Sequence, residues 1–147
     1  MHNNKGFTLT ELMITVAVIA IIAAIAIPSY MGYMTRIRRA GAVSALEMVA
    51  LYEEKLMAQT GQYGTLTNAI NDMATVGLTN PNSDANRNYD ILATPGGVNN
   101  NTFVATATGI NAQAGDITFA IDSNNNRGTD DGAGGVAPNP GLWRRLK

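Results

Sequence analysis

The hydrophobic pattern of the chain is dominated by one long apolar segment near its start. Between Glu11 and Arg36 no charged side chain occurs, and most positions are Ala, Ile, Val, Leu or Met. A helix of about 24 residues at about 1.5 Å per residue would be roughly 36 Å long, which is enough to cross a hydrocarbon core of about 30 Å. This segment must therefore lie in lipid or against other apolar helices.

A helix with two different faces is predicted to follow. Ala42, Ala45, Val49, Tyr52 and Leu56 recur in steps of three and four residues, which places them on one face. The charged residues of the same stretch fall off this stripe, namely Glu47, Glu53, Glu54 and Lys55. We expect the helix to run from about residue 29 to about residue 59 and to end near Gly61.

Three strands are predicted in the second half of the chain. Residues 89–94, 102–108 and 116–122 alternate apolar and polar side chains and are separated by Gly-rich turns. This arrangement favours an antiparallel meander whose apolar face covers the helix stripe. The remaining segments are predicted as a short helix (66–75), a loop (77–88) and an irregular tail (132–141). The predicted fold class is therefore α+β, with a long N-terminal helix packed on a small antiparallel sheet.

Composition narrows the chemistry that the chain can perform. Hydrophobic residues make up 46% of the chain and charged residues 14%, with a net charge of −1. This near-neutral charge favours neither a nucleic-acid binder nor an enzyme for acidic substrates. Cysteine is absent, which excludes disulfides and thiolate nucleophiles, and the one histidine, His2, lies in the first few residues. We therefore expect no enzymatic activity and no resident cofactor.

Two general interpretations of the apolar segment compete. A secretory signal peptide would be cut near Ala24-Ile25-Ala26, but Glu11 lies where such a signal carries positive charge. A single-pass anchor would place the side carrying Arg36, Arg38 and Arg39 in the cytoplasm. These arginines would contact lipid headgroups or neighbouring subunits, or remain solvated.

The start of the segment resembles one protein family closely. Lys5-Gly6-Phe7-Thr8-Leu9, followed by Glu11 and an uncharged apolar run, is similar to the N-terminus of type IV pilins and pseudopilins. The resemblance is strong over residues 5–65 and implies the pilin fold, most like a pilin of type IVa pili. It implies that a prepilin peptidase cuts between Gly6 and Phe7 and that the new N-terminus is methylated. The body of the protein would then lie outside the inner membrane, against the positive-inside expectation.

The resemblance also implies a division of the chain. The segments would be a leader (1–6), a membrane and filament-core helix (7–30), an amphipathic helix (31–60), an αβ-loop (61–88), a sheet (89–122) and a C-terminal loop or tail (123–147). The subunit would leave the inner membrane with the help of the pilus assembly machinery and other pilins. It would join a homo-oligomeric helical filament on the cell surface, used for adhesion, motility or DNA uptake.

Two alternatives to a pilus subunit stay open at this point. The first is a type II secretion pseudopilin, which forms a short periplasmic pseudopilus. The second belongs to another class and is a soluble exported binding module, which would require removal of the apolar segment.

The resemblance assigns Glu11, with Thr8 and Leu9, to subunit assembly. The matching glutamate of the family neutralises the N-terminal amine of a neighbouring subunit, and burying the two together removes two unpaired charges. The alternative is that Glu11 reaches the membrane interface and does nothing more. Pro28 and Gly32 are expected to kink the helix. By resemblance, the helix also melts locally before Pro28 in the filament.

Two weaker candidate sites lie near the C-terminus. Asp122, Asn124, Asn126 and Asp130 alternate as calcium ligands do, but the turn glycine and the bidentate glutamate of a calcium loop are missing. A turn without a metal is therefore favoured. The basic residues beside Trp143 would hold DNA by phosphate contacts and stacking, namely Arg144, Arg145 and Lys147. A tryptophan packed on the sheet beside a solvated basic end is the preferred alternative.

Overall fold

The computed structural model describes residues 6–64 and 80–146. The chain divides into two units, residues 1–36 and residues 37–147. The short helix predicted over residues 66–75 lies outside the described residues, as do residues 1–5 and Lys147.

Helix α1 spans Leu9–Thr60, with residues 9–36 in the first unit and residues 37–60 in the second. It stays helical through Pro28 and Gly32, although Pro28 has no N–H to donate to the preceding turn. It ends at Gly61, whose φ of 77° lies in the left-handed region that terminates many helices. The N–H of Gly61 donates to the carbonyl of Met57 at 2.9 Å, which satisfies one carbonyl of the last turn.

The second unit contains a five-stranded antiparallel meander in the order β1-β2-β3-β4-β5. The register of β1 on β2 runs from Tyr89 opposite Gly109 to Gly96 opposite Thr102. Short 3-10 turns cover Val98–Asn100 and Asn111–Gln113. The remaining elements are β1 (Tyr89–Gly96), β2 (Thr102–Gly109), β3 (Phe119–Asp122), β4 (Arg127–Asp130), β5 (Val136–Pro138) and a short helix α2 (Pro140–Arg144).

The core of the second unit lies between α1 and one face of the sheet. Alternate strand residues are buried, as the period of two in the sequence predicts. Each large apolar side chain removed from water stabilises the unit by about 1.5–3 kcal/mol. The buried apolar strand residues are Tyr89, Ile91, Ala93, Phe103, Ala105, Ala107, Phe119, Ala120 and Ile121. The predicted α+β class, a long helix packed on an antiparallel sheet, is confirmed.

The buried face of α1 is wider than the predicted stripe. Val43 and Leu46 are almost completely buried beside the predicted core positions, because several strands cover this part of the helix. Ala45 and Leu56 are only partly buried. Glu53, which lies off the predicted stripe, is nevertheless fully buried, and its Oε2 accepts the N–H of Gly64 at 2.8 Å.

The structure corrects the sequence prediction at the C-terminal end. Residues 123–147, predicted as a loop or tail, contain β4, β5 and α2. Strand β4 reads Arg-Gly-Thr-Asp and carries no apolar alternation, so its pairing partners rather than its own pattern define it. A Cβ at Gly128 would collide with the carbonyl oxygen of Ala137, so glycine permits the close approach of β5. Strand β3 begins at Phe119 rather than at Asp116. Asp116 lies in the loop before this strand, where Arg39 of α1 binds its carboxylate.

Candidate assembly and binding sites

Thr8 and Glu11 close a reciprocal hydrogen-bonded ring at the start of α1. The N–H and the hydroxyl of Thr8 donate to Glu11 Oε2 at 2.9 and 2.8 Å, and the N–H of Glu11 donates to Thr8 Oγ1 at 3.3 Å. This is a capping box, which satisfies two N–H groups that a helix N-terminus leaves unpaired. The sequence analysis missed this role of Glu11, although a threonine three residues before a glutamate ahead of an apolar run is its recognised signal.

The carboxylate of Glu11 retains one oxygen for a further partner. Both Thr8 donors use Oε2, and Oε1 makes no hydrogen bond with any residue in the described part of the chain. Gly6, Phe7 and Leu9, the other predicted processing and assembly residues, are all exposed beside it. Phe7 is 81% exposed, so an incoming group has open access to this end of the helix.

The rest of the first unit is a helix without a covered face. Apolar side chains are exposed all around it, from Leu12 to Met31. By length and composition α1 is able to cross a membrane, and no other helix among the described residues is long and apolar enough to do so. A helix that is apolar on every side requires lipid or other helices around it. Pro28 and Gly32 lie in this stretch, and a Cβ at Gly32 would meet nothing within 4 Å.

A polar cluster joins α1 to the loop before β3 in the second unit. Arg39 Nε donates to Asp116 Oδ2 at 2.9 Å, and the hydroxyl of Tyr89 and the amide of Gln113 donate to the same oxygen. Arg38 makes a longer contact to Gln113 at 3.4 Å. Of the three arginines expected to contact lipid headgroups or neighbours or to remain solvated, Arg39 instead pairs with Asp116 within the subunit. Sequence reasoning missed this cluster.

The hydrogen bonds of this cluster shift the pKa values of its members. The bonds from Arg39 hold the pKa of Asp116 well below its usual range, against the opposing effect of burial. Burial and the bond to Asp116 raise the pKa of Tyr89 to about 12. The hydrogen bond to Asp116 also raises the pKa of Arg39. At neutral pH Arg39 and Asp116 are therefore charged and Tyr89 is a neutral donor, and together they fix the loop before β3 against α1.

Two neighbouring acidic residues, Glu53 and Glu54, lie near the end of α1. Burial raises the pKa of Glu53, and the N–H of Gly64 partly opposes this shift. The neighbouring Glu54 is exposed, and its Oε1 accepts the hydroxyl of Tyr63 at 3.0 Å. Burial and this bond raise the pKa of Tyr63. Together these contacts anchor the chain where it leaves α1.

The predicted calcium residues form a turn held by one carboxylate. Asp122 Oδ1 accepts the N–H groups of Asn124 and Asn126 at 2.9 Å each, and its Oδ2 accepts the side-chain amide of Asn126 at 2.8 Å. Asp130 is exposed, and its Oδ1 accepts the N–H of Gly132. Among the described residues no group of three or more His, Cys, Asp or Glu side chains is arranged to hold a metal. The geometry is that of an Asx turn.

The C-terminal candidates divide into a buried ring and an exposed basic end. Trp143 is only 2% exposed, and its Nε1 donates to the carbonyl of Gly128 at 3.0 Å. The guanidinium of Arg127 lies 5.9 Å from the centre of its ring. Trp143 therefore packs against the sheet, as the preferred alternative expects, and its buried ring has no open face on which a base could stack. Arg144 and Arg145 are exposed and make no ion pair within the described residues.

The N-terminal part of the chain matches a processing motif. Residues 1–27 match the prokaryotic N-terminal methylation motif. A methylation leader, a long apolar helix and an α+β unit together define the type IV pilins. The interpretation of the first segment as an ordinary secretory signal gains no support from this match.

The remainder of the chain identifies the family. Residues 28–118, more than half of the chain, match the family of the type IV minor pilin ComP, described as a DNA uptake sequence receptor, and the chain belongs to this family. The family is one of structural pilins rather than of enzymes. No curated protein and no solved structure matches the chain. The match to a pilus family gives the secretion pseudopilin no support.

Proposed function

We propose that this protein is a minor subunit of a type IV pilus and that it polymerises through its N-terminal helix. The observation that carries the proposal is the uncovered apolar helix of the first unit, from Leu12 to Met31. Lipid covers this surface in the precursor, and the helices of neighbouring subunits cover it in the filament. Before assembly, a prepilin peptidase removes the leader after Gly6 and Phe7 is methylated, which the methylation motif supports.

Glu11 sets the register of assembly in this proposal. The capping box occupies Oε2, and Oε1 accepts the amine of Phe7 from a neighbouring subunit. Inside a bundle of apolar helices each of these charges would be costly without the other. A subunit placed out of register leaves both unpaired, so the pairing selects one axial position.

Substitutions at Glu11 and Thr8 separate the charge from the helix cap. Glu11→Gln keeps an oxygen acceptor for Thr8 but removes the charge, and Thr8→Ala removes the hydroxyl but keeps the charge. We expect Glu11→Gln and Glu11→Val to lower the yield of sheared filaments at least about tenfold, because stranding a buried charge costs several kcal/mol. Thr8→Ala should stay within about twofold of the wild type, since one cap contributes about 1 kcal/mol to a long helix.

The measurement is immunoblotting of sheared filaments against the membrane fraction of the same cells. All variants should be present in the membrane at the wild-type level, which shows that the precursor is inserted. Normal filament yield from Glu11→Val would contradict the pairing. A low yield from Thr8→Ala equal to that from Glu11→Gln would assign the effect to the cap instead.

We further propose that the filament containing this subunit binds DNA for uptake, in line with the description of the matched family. Arg144 and Arg145 support this, because two exposed guanidiniums without ion-pair partners in the described chain suit phosphate oxygens. Arg144 also lines a groove of about 360 Å³ with Asn125, Asn126 and Arg127, which adds amide and guanidinium donors. These contacts read the DNA backbone rather than its sequence.

A double variant tests this contact. Arg144→Ala with Arg145→Ala should weaken binding of duplex DNA by the detergent-solubilised full chain and lower the slope of log affinity against log salt by about 2. The matched control is Lys55→Ala with Arg87→Ala, which removes two other cations. Equal losses of affinity in the two double variants would show that only overall charge matters and would contradict a contact at Arg144 and Arg145.

A further inference from the structure

The first strand of the sheet lies at its edge and is unusually long for an edge strand. Strand β1 has eight residues and is therefore about 26 Å long. Its side chains include the exposed Leu92 and a single charge, that of Asp90. A long edge strand with little charge presents N–H and C=O groups with which a strand of another chain can pair.

Asn82 occupies part of this edge in the place of a neighbouring strand. Its Nδ2 donates to the carbonyl of Ile91 at 2.7 Å, and its Oδ1 accepts the N–H of Ile91 at 2.9 Å. A side-chain amide carries donors and an acceptor side by side, so these two bonds reproduce those that a paired backbone residue would make. Asn82 therefore takes both backbone groups of Ile91 out of reach of a partner strand.

A turn before β1 holds Asn82 in this position. Pro81 and Asn82 are the central residues of a β-turn in which the N–H of Ser83 donates to the carbonyl of Asn80 at 3.1 Å. The N–H of Asn82 also donates to Asn80 Oδ1 at 2.7 Å. Because proline fixes its own φ, the turn loses less conformational entropy when it places Asn82 against the strand.

Pro95 removes a second donor from the edge of β1. The backbone groups of successive strand residues face opposite sides, so those of Ala93 and Pro95 face outward with Ile91, whereas those of Leu92 face β2. Proline has no N–H, and within sheets it is largely confined to edge strands for this reason. From Ile91 to Pro95, the N–H of Ala93 is the one outward donor without a hydrogen-bond partner among the described residues.

The opposite edge of the sheet has the same kind of protection. Strand β5 has three residues, and the N–H of Asn139 directly after it donates to the carbonyl of Arg127 on β4 at 2.8 Å. By the same alternation, the backbone of Pro138 faces outward and offers no donor. Very short edge strands and edge prolines are two of the means by which proteins prevent pairing between sheets.

We propose that Asn82, Pro95 and Pro138 close the two edges of the sheet, so that it resists extension by a strand of another chain. The inference does not depend on the proposed filament, because it concerns the second unit alone. Within such a filament, however, it requires that any contact with the sheet edges be made by side chains rather than by backbone pairing. It also keeps copies of the chain apart when they are concentrated in a membrane.

Hydrogen exchange at single amides tests the role of Asn82 in the detergent-solubilised full chain. We expect Asn82→Ala to speed exchange of the Ile91 amide at least about tenfold, because the acceptor of its hydrogen bond is removed. The amide of Leu92 faces β2 and should exchange at the wild-type rate. Asn86→Ala is the matched control, since Asn86 is an exposed asparagine of the same loop whose side chain makes no hydrogen bond with the described residues.

Two results of this experiment would overturn the proposal. The first is an unchanged exchange rate at Ile91 in Asn82→Ala, which would show that Asn82 does not cover the edge. The second is fast exchange at both Ile91 and Leu92, because Asn82 would then hold β1 in the fold instead of shielding it. Fast exchange at Ile91 alone, absent from the Asn86→Ala control, is the expected result.

Opening the edge should create a new contact between chains. Asn82→Ala with Pro95→Val frees both backbone groups of Ile91 and adds an N–H at residue 95. In sedimentation velocity in detergent, we expect this double variant to form larger species than the wild type at the same concentration. Asn86→Ala with Pro95→Val keeps the bonds of Asn82 and should associate at least about tenfold more weakly than the first double variant.

The outcomes of sedimentation separate this inference from the proposed function. If the first double variant sediments as the wild type does, although its Ile91 amide exchanges fast, the edge needs no protection and the proposal is wrong. Equal association of the two double variants would also contradict a protective role for Asn82. Absence of the wild-type chain from filaments would bear on the proposed function alone.

Discussion

Single residues in the second unit hold distant parts of the chain together through charge. Arg39 lies on α1 and Asp116 in the loop before β3, 77 residues further along the chain. The side chain of Asp116 is only 12% exposed, so its carboxylate depends on the guanidinium, the phenol of Tyr89 and the amide of Gln113 for the hydrogen bonds that water would give. The cluster therefore stabilises the fold more than an exposed ion pair would.

The direction of the pKa shifts fixes how this stabilisation depends on pH. The pKa of Asp116 is depressed in the folded state, so its contribution is complete above the unfolded value of about 3.9 and is lost as the pH falls through the folded value. The pKa of Tyr89 is raised to about 12. Its contribution is complete below the unfolded value of about 10 and is lost as the pH rises towards 12.

Asp116→Asn should lower the free energy of unfolding by about 2 kcal/mol at pH 7, since it removes a charged acceptor from three donors. The difference from the wild type should shrink as the pH falls below about 4. The fluorescence of Trp143, the one tryptophan of the chain and buried in the second unit, reports unfolding of the detergent-solubilised protein in denaturant.

Asp90→Asn is the control for this experiment. Asp90 is paired with Arg87 at 3.0 Å on an exposed surface, and such pairs contribute about 0–1 kcal/mol. An effect of Asp116→Asn no larger than that of Asp90→Asn, or one that does not depend on pH, would contradict the account of the cluster.

At the scale of elements, helices and strands with a clear hydrophobic period were predictable and the others were not. The apolar segment, the end of α1 near Gly61 and the first two strands follow from spacing, because burial on one face imposes that spacing. Strand β4 is short and polar and β5 has only three residues, and both exist through pairing that no local pattern records. Helix α2 carried a local signal that was overlooked, since Asn139 caps it directly before Pro140.

The candidate sites were likewise predictable only where their residues lie close together in the sequence. The Thr8–Glu11 capping box joins residues three apart and was readable from the sequence, whereas the Arg39–Asp116 pair was not, because its partners meet only through the fold. A groove lined by Leu51, Phe103 and Asn125 likewise combines α1 with strand β2 and with the turn between β3 and β4. Local sequence identified the residues of the N-terminal site and of the Asp122 turn, and tertiary structure was needed for the cluster of Arg39 and Asp116.

At the scale of the whole molecule, the two units have different roles in the proposed function. The first unit is an apolar helix that has no covered face, and the second is an α+β unit with its own core. An isolated chain in water would leave the first unit exposed, and the proposed membrane-resident precursor and assembled filament are forms that would cover it. The methylation motif and the minor pilin family agree with this division.

The most direct test is the identity of the chain in natural surface fibres. Fibres sheared from cells that express the protein should contain this chain, visible by electron microscopy with bound antibody. Mass spectrometry of its first peptide should show a methylated Phe7 as the N-terminal residue. A detergent-free, monomeric product that begins at Ile27 or later, with no trace of the chain in fibres, would contradict polymerisation through the N-terminal helix.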